Sequence, residues 1–255
     1  MRSNVITVIR FEDLCALFRA VYTGFHPLKF QVKVRLMIVY VNQALKGIPV
    51  LFVEASNLTI KRKHRELERM IKAEMGELVT LYERHRPILA AYHDLHARFG
   101  GQVHISAPEY LYDFITKRSR LMQINSLVDS YNYISLKYAL ALGAHDLDKV
   151  EGKIAFNLTT GKERFYPLGA TEPVPVAPGE YAYLDEREIL CRLEVKQCEK
   201  TKITPETTSA FFIIQGNAAT SMDYLYRAAD ELMGLIATYC QGQVSLATIE
   251  YTGSE

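Results

Sequence analysis

The stretch Asp129-Ser-Tyr-Asn-Tyr-Ile-Ser-Leu-Lys-Tyr-Ala-Leu-Ala-Leu-Gly-Ala-His-Asp-Leu-Asp-Lys149 decides how the chain is read. Tyr133, Leu136, Leu140 and Ala141 recur at helical spacing, and Asp129 or Ser130 can cap the first turn. Gly143 stands where a helix stop is expected. The spacing predicts a helix up to Gly143, then a loop over 144–148 bearing His145, Asp146 and Asp148, then a strand over 153–158. Two readings of that loop stay open. It is either the polar mouth of a pocket or a helix stop with two solvated aspartates.

Beyond Gly152 the pattern is β. Strands are expected at 163–166, 181–185, 188–193 and 210–215, separated by turn chemistry at Thr160-Gly161, Gly169, Pro173 to Gly179 and Asp185-Glu186. An amphipathic helix over 222–240 buries Leu225, Ala228, Ala229, Leu232, Leu235 and Ile236, and a short strand over 243–249 follows. On the other side, helix 107–117 carries Pro108 in its first turn, and Lys117, Arg118 and Arg120 suit its C-terminal dipole. Pro87 is expected to open a helix over 88–99, separate from a longer one that starts at Lys61 and reaches about Tyr82. Residues 48–54 form an apolar strand. Residues 4–10 read as a strand, 11–22 as an amphipathic helix, and 31–41 as either. Helices followed by strands and closed by a helix indicate an α+β domain over 48–250, preceded by an N-terminal extension, 1–47.

A chain of 255 residues with 49% hydrophobic and 23% charged residues has a folded, water-soluble composition. The net charge of +1 conceals an asymmetry: residues 1–100 carry 16 Lys/Arg against 9 Asp/Glu, and residues 101–255 carry 14 against 20. A polyanion should therefore meet the N-terminal side first. Lys61, Arg62, Lys63 and Arg65 are the candidate RNA-binding cluster, since cations at a helix start oppose the dipole; a solvated basic face reads equally well. Four cysteines without a CxxC pair suggest reduced thiols and a cytoplasmic protein. No signal peptide is expected, and no run approaches the roughly 20 apolar residues of a membrane span, so no membrane partner is expected. His93 and His96 are three apart but lack further ligands at a familiar spacing, so neither a metal nor another cofactor is expected.

Several segments together resemble one family. They are Asp129-x-Tyr-Asn132 with Ser135-Leu-Lys137, Gly143-x-His-Asp-Leu-Asp-Lys149, Tyr166-Pro-Leu-Gly169, Pro178-Gly-Glu180, Cys191-Arg192 and Thr201-Lys-Ile-Thr-Pro-Glu-Thr207. The chain resembles stand-alone relatives of the editing domain of the phenylalanyl-tRNA synthetase beta chain, over roughly residues 48–240. The resemblance implies a three-layer editing-domain-like fold, mostly antiparallel sheets with flanking helices. It also implies a tRNA or aminoacyl-tRNA partner rather than DNA, and deacylation of mischarged tRNA, since the synthetase domain hydrolyses tRNA carrying tyrosine in place of phenylalanine. The pocket it implies takes in Asn132, Lys137, Gly143, Asp148, Arg192, Thr201, Lys202, Thr204 and Glu206, with His145, Asp146 and Thr207 as the catalytic candidates.

The chain departs from that family at three places, one being the family's downstream Thr-containing editing segment, which has no match because the helix over 222–240 stands there instead. Gly143 occupies the position of the family's histidine, and Ile213 that of an acidic pocket residue. No class II synthetase catalytic module is recognisable. Deacylation needs an activated water and donors for the developing oxyanion. His145 could hold the water and Thr201, Thr204 or Thr207 could donate, while Lys202 or Arg192 could meet the terminal phosphate. The same residues also serve as turn caps and ion pairs. A free-standing deacylase and a non-catalytic module for tRNA or an amino-acid-like ligand both fit the sequence.

Overall fold

The computed structural model describes residues 37–100 and 102–252. The expectations for 4–10, 11–22 and Cys15 lie outside them. The described residues form an α+β fold in three layers: helices, a four-stranded sheet and a six-stranded sheet.

The four-stranded sheet is the middle layer. It runs β3 (Ala141–Asp146), β8 (Ala210–Gln215), β2 (Val50–Ser56) and β9 (Gln243–Leu246), with each neighbour antiparallel. Successive strand residues point to opposite faces, and both faces here are apolar. Leu51, Val53, Ala210, Phe212, Ile214, Leu142 and Ala144 join the core under the helices. Val50, Phe52, Phe211, Ile213 and Ala141 join the core between the sheets. All six residues of β8 are buried.

The outer sheet runs β10 (Thr248–Thr252), β1 (Ile38–Asn42), β4 (Ile154–Leu158), β5 (Tyr181–Leu184), β6 (Ile189–Arg192) and β7 (Lys196–Gln197). Only the pairs made by β1 are parallel. β1 falls within the segment assigned to the N-terminal extension. Its Val39 and Val41 are buried between the sheets, so this sheet begins at Ile38 rather than after residue 47. The stretch 163–166 is not a strand; only Pro167 bridges, to Cys198.

Four helices make the third layer: α1 (Arg65–Gly100), α2 (Ala107–Arg118), α3 (Ser126–Tyr138) and α4 (Met222–Cys240). α1 is one helix of 36 residues with Pro87 inside it, not two. An interior proline costs about 3 kcal/mol. Leu78 on one side of Pro87, and Leu89 and Tyr92 on the other, are buried, and that burial offsets the cost. α3 is capped by Asn125, whose side chain accepts from the N–H groups of Leu127 and Val128, rather than by Asp129 or Ser130. It stops at Ala139, in the left-handed region at φ 48°, four residues before Gly143. The chain then enters β3 directly. His145 and Asp146 therefore lie in a strand and not in a loop.

Phe211 is fully buried, stacked on Phe52 at 5.4 Å between the two sheets. Phe211→Ala should lower the unfolding free energy by roughly 3–5 kcal/mol in urea titrations; a loss under 1 kcal/mol would mean that the sheets are not packed through this residue.

Candidate functional site

The structure brings His145, Asp146, Thr201, Thr204 and Thr207 together where β3 ends against the loop before β8. His145 shares the sheet face of Phe211, its ring tilted at 32° with centroids 6.3 Å apart. Its Nδ1 lies 2.7 Å from the Thr201 hydroxyl, which is also 3.0 Å from the Cys198 thiol. The Asp146 N–H donates to the Thr201 carbonyl at 2.9 Å, so both strand residues grip Thr201. Burial pushes the His145 pKa down to about 4, which leaves the ring neutral at neutral pH. Its Nε2 has no partner.

Asp146 is spent within the fold. One carboxylate oxygen accepts from the Thr207 hydroxyl at 2.8 Å and the other from the Asp148 N–H at 3.2 Å, with Lys149 at 3.4 Å. Thr207 in turn accepts from the Thr204 N–H at 3.1 Å. Asp148 accepts from the hydroxyls of Thr208 and Ser209. The three catalytic candidates are buried, none more than 4% exposed. They form a knot that ties a strand end to a loop.

The other expected residues, apart from Asp148 and from Lys202 and Glu206 beside Thr201 and Thr207, lie outside this knot. Asn132 is buried in α3, and Lys137 pairs with Glu231 of α4 at 2.8 Å in the helical layer. Arg192 makes two hydrogen bonds to the buried Glu180 and one to the Pro175 carbonyl. Lys202 pairs with Glu199, and the Thr204 hydroxyl beside exposed Glu206 lowers that carboxyl's pKa. Lys61, Arg62, Lys63 and Arg65 are exposed at and before the start of α1. Arg65 lines an open groove of about 790 Å³, and no other expected site residue does.

Gly143 and Ile213, two of the departures from the family pattern, are direct cross-strand partners. Both lie on the face toward the outer sheet, and Gln197 of β7 closes over Gly143: a Cβ there would meet its side-chain nitrogen at 2.5 Å. At these two paired positions stand a glycine and an isoleucine, beneath a covering amide.

Sequence reading missed a second buried cluster. His96 Nε2 is 2.7 Å from Glu194, which also accepts from the Tyr181 hydroxyl. Glu194 and Leu193 both hold left-handed backbone, φ 47° and 51°, in the turn joining β6 to β7. The signal was a lone acidic residue between Leu193 and Val195 at a hairpin turn. His93 pairs instead with Glu109, and His85 with the Tyr112 hydroxyl. The three histidines therefore go to three different partners, and no group of three or more metal-ligating side chains occurs among the described residues.

The B3/4 domain family model matches residues 91–241. The phenylalanine–tRNA ligase beta subunit of Mycoplasma genitalium is 28% identical over 98 residues, 38% of this chain and 12% of that protein. The beta subunit of Fusobacterium nucleatum subsp. nucleatum is 29% identical over 102 residues, 39% of this chain and 13% of that protein. The matched stretch is thus a small part of each relative. Among solved structures, an N-terminal fragment of the phenylalanyl-tRNA synthetase beta subunit from Pyrococcus horikoshii aligns with a TM-score of 0.49 at 16% identity, covering 88% of this chain and 55% of that chain.

The His145 pKa is depressed in the fold, so on acidification the unfolded chain takes up this proton first. The stability tied to neutral His145 is complete above about pH 6.5 and is lost as pH falls toward 4, by up to about 1.4 kcal/mol per unit. The gap in unfolding free energy between the wild type and His145→Gln should therefore shrink from pH 7 to pH 4.5. A gap that widens on acidification would overturn the buried, neutral assignment.

Proposed function

We propose, because this chain belongs to the B3/4 domain family, that it is a tRNA-binding module of translation, acting in the cytoplasm without hydrolysing the aminoacyl bond. One observation carries this reading. Gly143 faces Ile213 across β3 and β8 beneath Gln197, so the position that in the synthetase domain bears an imidazole and a carboxylate has neither. On that resemblance, this chain lacks the imidazole and the carboxylate that the synthetase domain's pocket would carry there.

The chemistry left for an RNA partner is electrostatic. Lys61, Arg62, Lys63 and Arg65 are exposed and make no ion pair among the described residues. Unpaired surface cations can neutralise phosphates and release the counterions condensed on a polynucleotide. The names of the relatives, ligases that charge tRNA with phenylalanine, support tRNA as the nucleic acid.

A second reading, deacylation of mischarged tRNA in trans, rests on the unpartnered Nε2 of His145. A water held there would be the attacking group, with the Thr201 hydroxyl nearby as a donor to the developing oxyanion. A general base works best with a pKa near the working pH. Burial holds His145 near 4, which makes it a weak base and places this reading second.

One experiment separates the two. The protein is incubated with a panel of mischarged tRNAs, and binding and deacylation are followed together. Salt-sensitive binding with no turnover is the expected result. Turnover that disappears in His145→Ala while binding persists would replace the first reading by the second. No binding to any tRNA would remove both.

A further inference from the structure

A groove of about 790 Å³ opens between the first turns of α1 and the segment joining α2 to α3. Five cations line it: Arg65, Arg69 and Lys72 from α1, and Arg118 and Arg120 from around the end of α2. Residues 65, 69 and 72 are spaced i, i+4, i+7 and so form one stripe along the helix. All five are exposed, and none forms an ion pair among the described residues. The neighbouring Lys117 shows the contrast, since it pairs with Asp113 one turn back at 2.7 Å. Ser119, in left-handed backbone at φ 53°, turns the chain between Arg118 and Arg120. Arg65 and Arg69 lie near a helix N-terminus, where the dipole disfavours cations, so their placement is not explained by the fold.

Two carboxyls also line the groove. Asp129 is tied to the fold by accepting from the Ile124 N–H at 2.9 Å. Glu68 is different: its Oε1 is buried and has no hydrogen-bond partner. A buried, unpaired carboxylate oxygen is costly and calls for a donor. A ligand that suits this lining is rich in negative charge, while Glu68 Oε1, closed off from solvent, lies out of its reach.

The geometry points to an RNA strand as the occupant, its phosphates on the five cations. The inference rests on the tRNA-binding reading for its partner class and adds a location that reading does not contain. The scale agrees. From Arg65 to Lys72 is seven residues, roughly 10 Å of helix, and a strand advances roughly 3.4 Å per phosphate along a duplex axis. The stripe alone spans about three phosphates.

The test uses the full chain with three probes: unacylated tRNA, an unrelated RNA hairpin of similar size, and the DNA form of that hairpin. The groove variant is Arg69→Gln, Lys72→Gln, Arg120→Gln, which leaves residues 61–65 intact. The control variant, Lys46→Gln, Lys153→Gln, Lys162→Gln, removes the same charge from exposed sites elsewhere. Circular dichroism and thermal melting establish that both are folded. The groove variant should bind RNA at least about tenfold more weakly at low salt. Its plot of log affinity against log salt should flatten by about 2–3, while the control variant changes little. Equal losses in the two variants, or an unchanged slope in the groove variant, would overturn the inference. The DNA hairpin should lose affinity in the groove variant as well, since the cations meet phosphates; DNA binding untouched by the groove variant would overturn phosphate contact as the basis of binding. Failure of the parent reading looks different: the wild type would hold tRNA and the unrelated hairpin equally well, and the groove variant would lose both.

Discussion

The structure depends on a sheet that has no face toward water. β3, β8 and β2 are covered by helices on one side and by the six-stranded sheet on the other. Alternation along such strands no longer separates apolar from polar; it separates one core from another. Any polar side chain placed there must be satisfied inside, because water cannot reach it and an unmet donor or acceptor is expensive. In β3 and β8 the polar residues accordingly sit at the strand ends. His145 and Asp146 close one end of β3 against Thr201 and Thr207. Gln215 closes the opposite end of β8, accepting from the hydroxyls of Tyr92 and Tyr183.

That constraint explains what could be read from the sequence. The strand at 210–215 and the helix at 222–240 are found at those same residues. The first is an unbroken apolar run, and the second a clean amphipathic stripe capped by Ser221. β3 was hidden, because Gly143, His145 and Asp146 carry loop chemistry while a doubly covered strand was needed. The continuity of α1 was hidden as well. A proline is a local signal for a break, whereas the burial of Leu78, Leu89 and Tyr92 on either side of it is a tertiary fact. The parallel pairing of β1 with β10 joins segments about as far apart as the described chain allows, and no local pattern announces it. The family resemblance supplied the layering that periodicity could not.

The candidate site was legible as a grouping but not as an environment. His145, Asp146, Thr201 and Thr207 were chosen from separate segments, and the fold does bring them together. Their burial depends on the outer sheet, which no local motif describes. The two departures at Gly143 and Ile213 are 70 residues apart in the sequence, yet they face each other across one ladder. Two unrelated substitutions thereby become a single change, with Gln197 of the other sheet covering it.

Open and closed polar clusters obey different energetics, and this chain contains both. In the knot at the end of β3, each carboxylate oxygen of Asp146 is met by a protein donor, and such mutual satisfaction leaves little free for a ligand. Along α1 and around Ser119 the situation is reversed. Five exposed cations stand without anionic partners among the described residues, beside a carboxylate oxygen without a donor. Exposed cations cost the fold little, since water solvates them and salt screens their repulsion. An unmet buried oxygen is another matter, because removing it or pairing it would stabilise the chain.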